Sequence, residues 1–295
     1  MVAGLLLAIV TGLLWAVLGT LFSTVVRRRL TVIGFLQLST FLSAAVAWAL
    51  VVRWPVLLNG SVPNLLGLAA AQLGSGLAGA LGFFAMQRAM RTGHHGPIWT
   101  ISQSAMVFPF LVGLLCWHEP VQPSGVAGIC LIVTSLILLG RAQKPTTVNE
   151  PTDRQWFAYA LLTFGLFGAC QVLAAIPSHW PGWTDTAQLR PALYLTGSGV
   201  AYWLAGYVTA VPSRRSVGWL AVGHAAAVVA ALCTLFLAMD RLAPHDQLKV
   251  VYPITVGVCI AAFAIYASLH ARERLGWAGS LGVTAAIAGV ALIAI

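Results

Sequence analysis

The sequence predicts an all-α integral membrane protein with ten transmembrane helices, arranged as two inverted five-helix repeats. Three observations lead to this fold class. Of the 295 residues, 59% are hydrophobic and 8% are charged, whereas about a quarter of the residues in soluble domains are charged. Apolar runs long enough to cross a bilayer recur along the whole chain. A pattern of residues in the first half also returns in the second half.

The ten predicted spans follow one another with short polar stretches between them. A helix rising about 1.5 Å per residue needs roughly 20 apolar residues to cross a hydrocarbon core about 30 Å thick. The first run has no basic residue before it and no small-residue cleavage site after it, so we expect it to remain as the first span. The spans are predicted at residues 3–22, 31–52, 63–86, 97–116, 122–140, 156–176, 190–211, 216–239, 249–269 and 275–295.

The repeat connects the two halves with a single one-residue gap. The run Ala-Met-Gln-Arg at 85–88 returns as Ala-Met-Asp-Arg at 238–241, and Glu119 returns as Glu273. Each Glu is followed by a Gly-x-x-Gly motif, at 125–128 and at 279–282. The matched segments lie in equivalent parts of the two halves, which indicates an internal repeat.

The longest polar stretch, residues 141–155, is predicted to be a linker between a first repeat at 1–140 and a second repeat at 156–295. Five is an odd number of spans, so the second repeat must be inverted relative to the first. Many secondary transporters follow this plan, with a substrate site near the membrane midplane where the halves meet.

The distribution of basic residues predicts the orientation. Twelve Lys or Arg residues lie in loops after odd-numbered spans, and four lie in the other loops: Arg53, Arg190, Arg241 and Lys249. Because Lys-rich and Arg-rich loops face the cytoplasm, we expect a multi-pass protein of the cell inner (plasma) membrane with both termini extracytoplasmic. The basic residues that give the formal net charge of +9 are then explained by their role in setting membrane orientation, and no nucleic-acid partner is expected.

Several classes of site are not expected. The glycine-rich run at 74–82 lies within a span without a following GK[ST] motif, so it favours close helix packing over phosphate binding. The five cysteines fall in or at the ends of apolar runs without metal-ligand spacing, which favours small core residues over a metal site. With no catalytic cluster, nucleophile elbow or cofactor loop, neither an enzyme nor a cofactor is expected.

The ten spans, the five-plus-five repeat and the Glu-containing turn before Gly-x-x-Gly together resemble the drug/metabolite transporter superfamily, in its broad EamA-like sense. The resemblance covers nearly the whole chain and implies a transporter. EamA-like members usually carry their basic residues between spans two and three, with their termini inside. Here Arg27, Arg28 and Arg29 follow the first span, which is more similar to the sugar-transporting branch of glucose/ribose porters and rhamnose/proton symporters.

Span four carries the first candidate substrate contacts. Trp99, Ser102, Gln103 and Met106 are spaced i, i+3, i+4 and i+7, which places them on one face of a helix starting at Pro97. An uncharged polar face inside a membrane needs partners, which are either neighbouring helices or a water-filled cavity with its ligand. Trp99, Ser102 and Gln103 are therefore substrate-binding candidates.

The second repeat places Tyr252 at the position of Trp99, so the two rings are predicted to flank a central ligand; interfacial anchoring is the alternative for Tyr252. Lys249 lies three residues earlier, on the predicted face of span nine. It is a candidate for ion coupling, although snorkelling to the headgroups or pairing with Asp246 is favoured.

Histidine titrates nearest to physiological pH, so His94, His95 and His224 are the candidates for proton coupling in spans without a mid-span carboxylate. His224 is also a substrate-binding candidate. The alternatives are a structural role in the turn for His94 and His95, and a neutral hydrogen bond to a helix carbonyl for His224. Further candidates for lining a cavity, each with packing as its alternative, are Trp15, Gln37, Gln72 and Gln171.

These patterns predict a secondary active transporter that moves a small polar organic metabolite, such as a sugar, by alternating access. The 11 Trp residues suit a ring stacked on aromatic faces, with interfacial belts as the alternative. The expected partners are the solute, the lipid bilayer and a coupling proton or sodium ion, in a monomer or a homodimer. The alternatives are an exporter of amino acids or nucleobases, and a non-transporting membrane scaffold or lipid-binding protein.

Overall fold

A computed structural model of the chain describes residues 1–58, 62, 64–92, 94–118, 122–142, 155–180, 186–209, 217–245, 248–270 and 276–294. All of the regular secondary structure in these residues is helical. The predicted linker residues 143–154 lie outside the described ranges, and so do Glu119 and Glu273.

Ten long helical segments run through the described chain, labelled here α1 to α10. Three of them depart from regular α-helix: α2 ends in a π turn at Ala47–Val51, α4 contains a 3-10 turn at Ser104–Met106, and α6 ends in one at Ile176–His179. A short helix, Trp54–Leu58, lies between α2 and α3. The bounds are α1 Val2–Arg27, α2 Val32–Val51, α3 Leu65–Thr92, α4 His95–Cys116, α5 Pro123–Ala142, α6 Gln155–His179, α7 Arg190–Thr209, α8 Gly218–Leu242, α9 Val251–Leu269 and α10 Trp277–Ala294.

The protein is an all-α, multi-pass membrane protein. Seven of the described segments, α1, α2, α3, α4, α6, α8 and α9, are long and apolar enough to cross a membrane, and α5 and α10 hold shorter apolar helices. Large apolar side chains such as Leu66 (82% exposed) and Leu13 (50% exposed) cover the outer helix faces. Trp219 and Trp277 are exposed at the first turns of α8 and α10, as in an interfacial aromatic belt.

Every segment begins within two residues of its predicted start, and two of the differences concern candidate site residues. The segment α4 begins at His95 rather than Pro97, with His94 as its N-cap, because the first N–H groups of a helix lack partners and proline is tolerated anywhere in that first turn. In the second half, α9 begins at Val251, directly after a 3-10 turn at Leu248–Val250 that contains Lys249. The Lys249 side chain lies outside the described part of the structure, so its position beside Tyr252 on one helix face stays a prediction.

Helix pairs from opposite halves make most of the packing. The segment α1 lies against α8 and α9, and α3 lies against α6 and α7. In the same way α2 packs on α7 and α8, α4 packs on α6 and α9, and α5 packs on α10. Eight helices therefore surround the centre of the molecule, and the α5–α10 pair lies beside them.

Glycines allow these helices to approach closely, as predicted. A Cβ atom at Gly76 of α3 would meet the backbone carbonyl of Tyr194 in α7, and one at Gly197 of α7 would meet that of Leu73. Gly128 and Gly289 bring α5 and α10 into backbone contact in the same way. The glycine-rich run of α3 is thus a packing surface.

Candidate functional site

A central cavity of about 130 Å³ lies where α1, α2, α3 and α4 meet α6, α7, α8 and α9. Four helices from each half line it, and no charged side chain stands among its described lining residues. Its volume is close to the roughly 150 Å³ at which an apolar protein cavity accepts benzene. Its aromatic lining includes Trp15, Phe83, Trp99, Phe167, Phe236 and Tyr252.

Trp99 and Tyr252 lie at opposite ends of this cavity. The Trp99 ring stacks on Phe263 of α9 with ring centroids 5.0 Å apart. Phe263 follows Tyr252 by eleven residues in α9, which corresponds to about 16 Å along a helix axis. The structure thus brings both predicted aromatic residues to one cavity, one at each end.

Packing and hydrogen bonds fix both rings. The Trp99 indole Nε1 donates to Cys259 Sγ at 3.3 Å, and the ring lies over Gly19 of α1, where a Cβ atom would collide with it. The Tyr252 hydroxyl donates to the backbone carbonyl of Gln171 at 3.2 Å. Both rings are almost completely buried, so they form rigid end walls.

Gln103, Gln171 and His224 are among the polar side chains that line this cavity. His224 Nδ1 lies 2.7 Å from the Ser39 hydroxyl. Two buried atoms of these three side chains have no hydrogen-bond partner among the described residues, His224 Nε2 and Gln171 Oε1. An unsatisfied buried polar atom costs about 1–3 kcal/mol, so a ligand that supplies the missing partners recovers that free energy.

Ser102 does not line the cavity, although Trp99 and Gln103 do. A residue at i+4 lies about 40° round the helix from i, whereas a residue at i+3 lies about 60° to the other side. The cavity lies on the Gln103 side of Trp99, away from Ser102. The Ser102 hydroxyl instead donates to the carbonyl of Ile98 at 2.8 Å, within its own helix.

Two of the predicted glutamines also lie elsewhere, and they connect helices. Gln37 Nε2 donates to the Tyr202 carbonyl at 3.1 Å, between α2 and α7. Gln72 is fully buried, and its Nε2 donates to the Ala174 carbonyl at 3.5 Å, between α3 and α6. The packing alternative therefore describes both, while Trp15 and Gln171 do line the cavity.

The other histidine candidates lie outside the central cavity. His94 is partly exposed at the N-cap of α4. His95 is buried, and its Nδ1 lies 2.6 Å from the hydroxyl of Ser23 in α1. His95 thus joins α4 to α1, one turn before Trp99.

The sequence interpretation missed a buried arginine. Arg190 was counted as a loop charge, but its side chain is 0% exposed at the start of α7. Its Nη1 donates to Ser178 Oγ at 2.9 Å, its Nε donates to Thr186 Oγ1 at 3.1 Å, and its Nη2 lies 3.5 Å from a carboxylate oxygen of Asp240. The guanidinium also lies over the ring of Phe236, a wall of the cavity, with 5.7 Å between Cζ and the ring centroid.

One sequence signal marks the acidic member of this cluster. The repeated run reads Met-Gln-Arg in the first half and Met-Asp-Arg in the second, so an acidic residue at 240 replaces the amide of Gln87. Taking Arg190 out of the solvated charges leaves three basic residues in the loops after even-numbered spans. The charge asymmetry between the two sets of loops becomes larger.

No protein-family model and no curated protein matches the sequence. The chain is similar in fold to a protein of solved crystal structure, with a TM-score of 0.65 and 16% sequence identity. The similarity covers 99% of this chain and 96% of that chain. At this identity the likeness concerns the fold alone, and it extends over the chain from end to end.

Proposed function

We propose that the protein is a secondary active transporter that moves a small, uncharged polar organic solute, with sugars as the first class to test. The observation that carries the proposal is the central cavity, which four helices of each half line with aromatic rings and unsatisfied polar atoms. A site between two halves is what alternating access requires. The resemblance of the repeat and its Gly-x-x-Gly motifs to drug/metabolite transporters supports the same function.

The proposed architecture is ten transmembrane helices in two inverted repeats, at 1–140 and 156–295, with the termini extracytoplasmic. Its support is that each helix of one half packs as the equivalent helix of the other half does, where α1 to α5 correspond to α6 to α10. Exchanging equivalent helices turns the pair α1–α8 into α6–α3, and the pair α1–α9 into α6–α4, and both of these pairs are present. Two pairs of positions 153 residues apart also line the same cavity, Phe83 with Phe236 and Trp99 with Tyr252.

The lining chemistry favours a neutral ring-shaped solute with hydroxyl groups. A charged solute would leave water for a cavity whose described lining offers no countercharge, at a cost of several kcal/mol. Trp99 and Tyr252 offer aromatic surfaces at its ends, while Gln103, Gln171 and His224 offer hydrogen-bonding groups between them. A hydroxylated ring uses both kinds of surface.

The binding step is tested with Gln103→Leu, which keeps the size of the side chain and removes its amide. We expect solute affinity to fall at least about fivefold, because one lost hydrogen bond in a desolvated site is worth about 1–3 kcal/mol. The measurement is a thermal-shift titration of the purified protein with a panel of sugars, nucleosides and amino acids, followed by uptake of the stabilising solute into proteoliposomes.

Gln37→Leu is the matched control, since it makes the same change on a glutamine outside the cavity. Its affinity should match that of the unmodified protein. Equal losses in the two variants would show that the cavity is not the binding site. If no solute of the panel entered the proteoliposomes while a lipid co-purified stoichiometrically, the transport proposal would give way to a lipid-binding scaffold.

Proton coupling is proposed at His224, the described histidine that lines the cavity. His224→Gln replaces a titratable ring with an amide that still forms hydrogen bonds. We expect this variant to exchange solute at equilibrium but to lose accumulation driven by a proton gradient. Accumulation that follows a sodium gradient and survives the substitution would assign the coupling to sodium instead.

A further inference from the structure

A second cavity, of about 510 Å³, opens where α1 and α3 end and where α2 and α4 begin. It is separate from the central cavity, and it shares no lining residue with it. Its lining consists of four basic and four apolar side chains: Arg27, Arg29, Arg91 and His95, with Val26, Leu30, Val32 and Met90. We refer to it as the basic cavity.

The basic cavity has a charged rim and a buried floor. Arg27, Arg29 and Arg91 are exposed, whereas His95 and Met90 are buried beneath them. No acidic side chain stands among its described lining residues. The partial positive charges at the N-termini of α2 and α4 are offset here by the partial negative charges at the C-termini of α1 and α3, so the arginines set the local charge. The local field therefore favours an anion.

Arg29 occupies a backbone conformation that usually selects glycine. Its φ is 51°, and it forms the left-handed end of α1 in a Schellman motif, in which Leu30 N–H donates to the Val25 carbonyl and Arg29 N–H donates to the Val26 carbonyl, both at 3.0 Å. Glycine fits this position without strain, and arginine does not. The side chain of this strained residue lines the basic cavity.

We propose that the basic cavity binds the phosphate group of an anionic ligand. Arginine forks hold phosphate oxygens in pairs of charge-assisted hydrogen bonds, and three arginines surround the opening. The apolar floor of Val26, Val32 and Met90 suits the part of an amphiphile next to its phosphate. Two sources share this chemistry: the headgroup of an anionic phospholipid and free phosphate in solution.

Arg29→Gly is the decisive variant, because relief of backbone strain and loss of a phosphate ligand act in opposite directions. We expect its melting temperature without anion to rise, while phosphate affinity falls about fivefold, the effect of one basic residue near an anionic group. Arg28→Gln is the matched control: Arg28 is exposed in the same segment but does not line the cavity.

The experiment uses the full-length protein in neutral detergent, with two probes. Inorganic phosphate is titrated in a thermal-shift assay, and retention of phosphatidylglycerol against phosphatidylcholine is measured by native mass spectrometry. Stabilisation by phosphate alone identifies the free anion, and selective retention of phosphatidylglycerol identifies the lipid. Either result supports the proposal if Arg29→Gly weakens binding of that probe and Arg28→Gln does not. Equal losses in both variants, or no response to either probe, would overturn it.

Discussion

Replacing Asp240 with alanine should lower the unfolding free energy of the solubilised protein by about 3–5 kcal/mol, since it removes the carboxylate from a buried ion pair. Arg190 is 0% exposed, and its hydrogen-bond partners include the neutral side chains of Ser178 and Thr186. A buried guanidinium that loses a carboxylate partner loses part of the interaction that offsets its desolvation cost. The measurement is denaturant-induced unfolding in mixed micelles, followed by Trp fluorescence.

Two variants control this prediction. Arg241→Ala removes an exposed charge next to Asp240 and should change the unfolding free energy by no more than about 0.5 kcal/mol. The double variant Arg190→Leu with Asp240→Leu should recover most of the lost stability, because apolar replacement of a whole buried ion pair is often neutral. A stable Asp240→Ala protein would show that the ion pair contributes little.

The second large effect is expected for Gly197→Ala, at the crossing of α3 and α7. The added Cβ would meet the backbone carbonyl of Leu73, and backbone atoms in a helix cannot rotate away as a side chain can. We expect a loss of about 1–3 kcal/mol from overpacking. Solute affinity should fall as well, because α7 carries Tyr194 and Ser198 into the cavity wall.

Gly165→Ala makes the same chemical change where the added Cβ has no neighbour within 4 Å. It should stabilise α6 by up to about 1 kcal/mol through helix propensity and leave solute affinity unchanged. Thermal melting and solute titration of the two variants give the comparison. Similar melting temperatures for both would contradict the close contact of α3 and α7.

The sequence predicted features that depend on local periodicity or on the repeat. Apolar runs located the helices, and the alignment of Tyr252 with Trp99 predicted that both rings would share one cavity. The spacing on α4 placed Gln103 beside Trp99, and both residues line the cavity. It also grouped Ser102 with Gln103, because these two residues flank Trp99 on the same helix face. Which side of that face lines the cavity depends on neighbouring helices from other parts of the chain.

The rest of the site depends on contacts between distant residues. Gln72 and Gln171 look alike in sequence, yet Gln72 is enclosed between α3 and α6, while Gln171 reaches the cavity. Arg190 stands fifty residues before Asp240, and no local pattern indicates that they pair. Such pairings become visible once the helices are assembled.

The two ends of the central cavity are held by different chemistry. Near Trp99, α1 and α4 are joined by the Ser23–His95 hydrogen bond, whereas near Tyr252, α6, α7 and α8 meet at the Arg190 guanidinium. In a carrier whose halves rock, unequal closures give the two opposite-facing states unequal free energies. The repeated halves would then have a resting population biased toward one side of the membrane, and Asp240→Asn would shift that population.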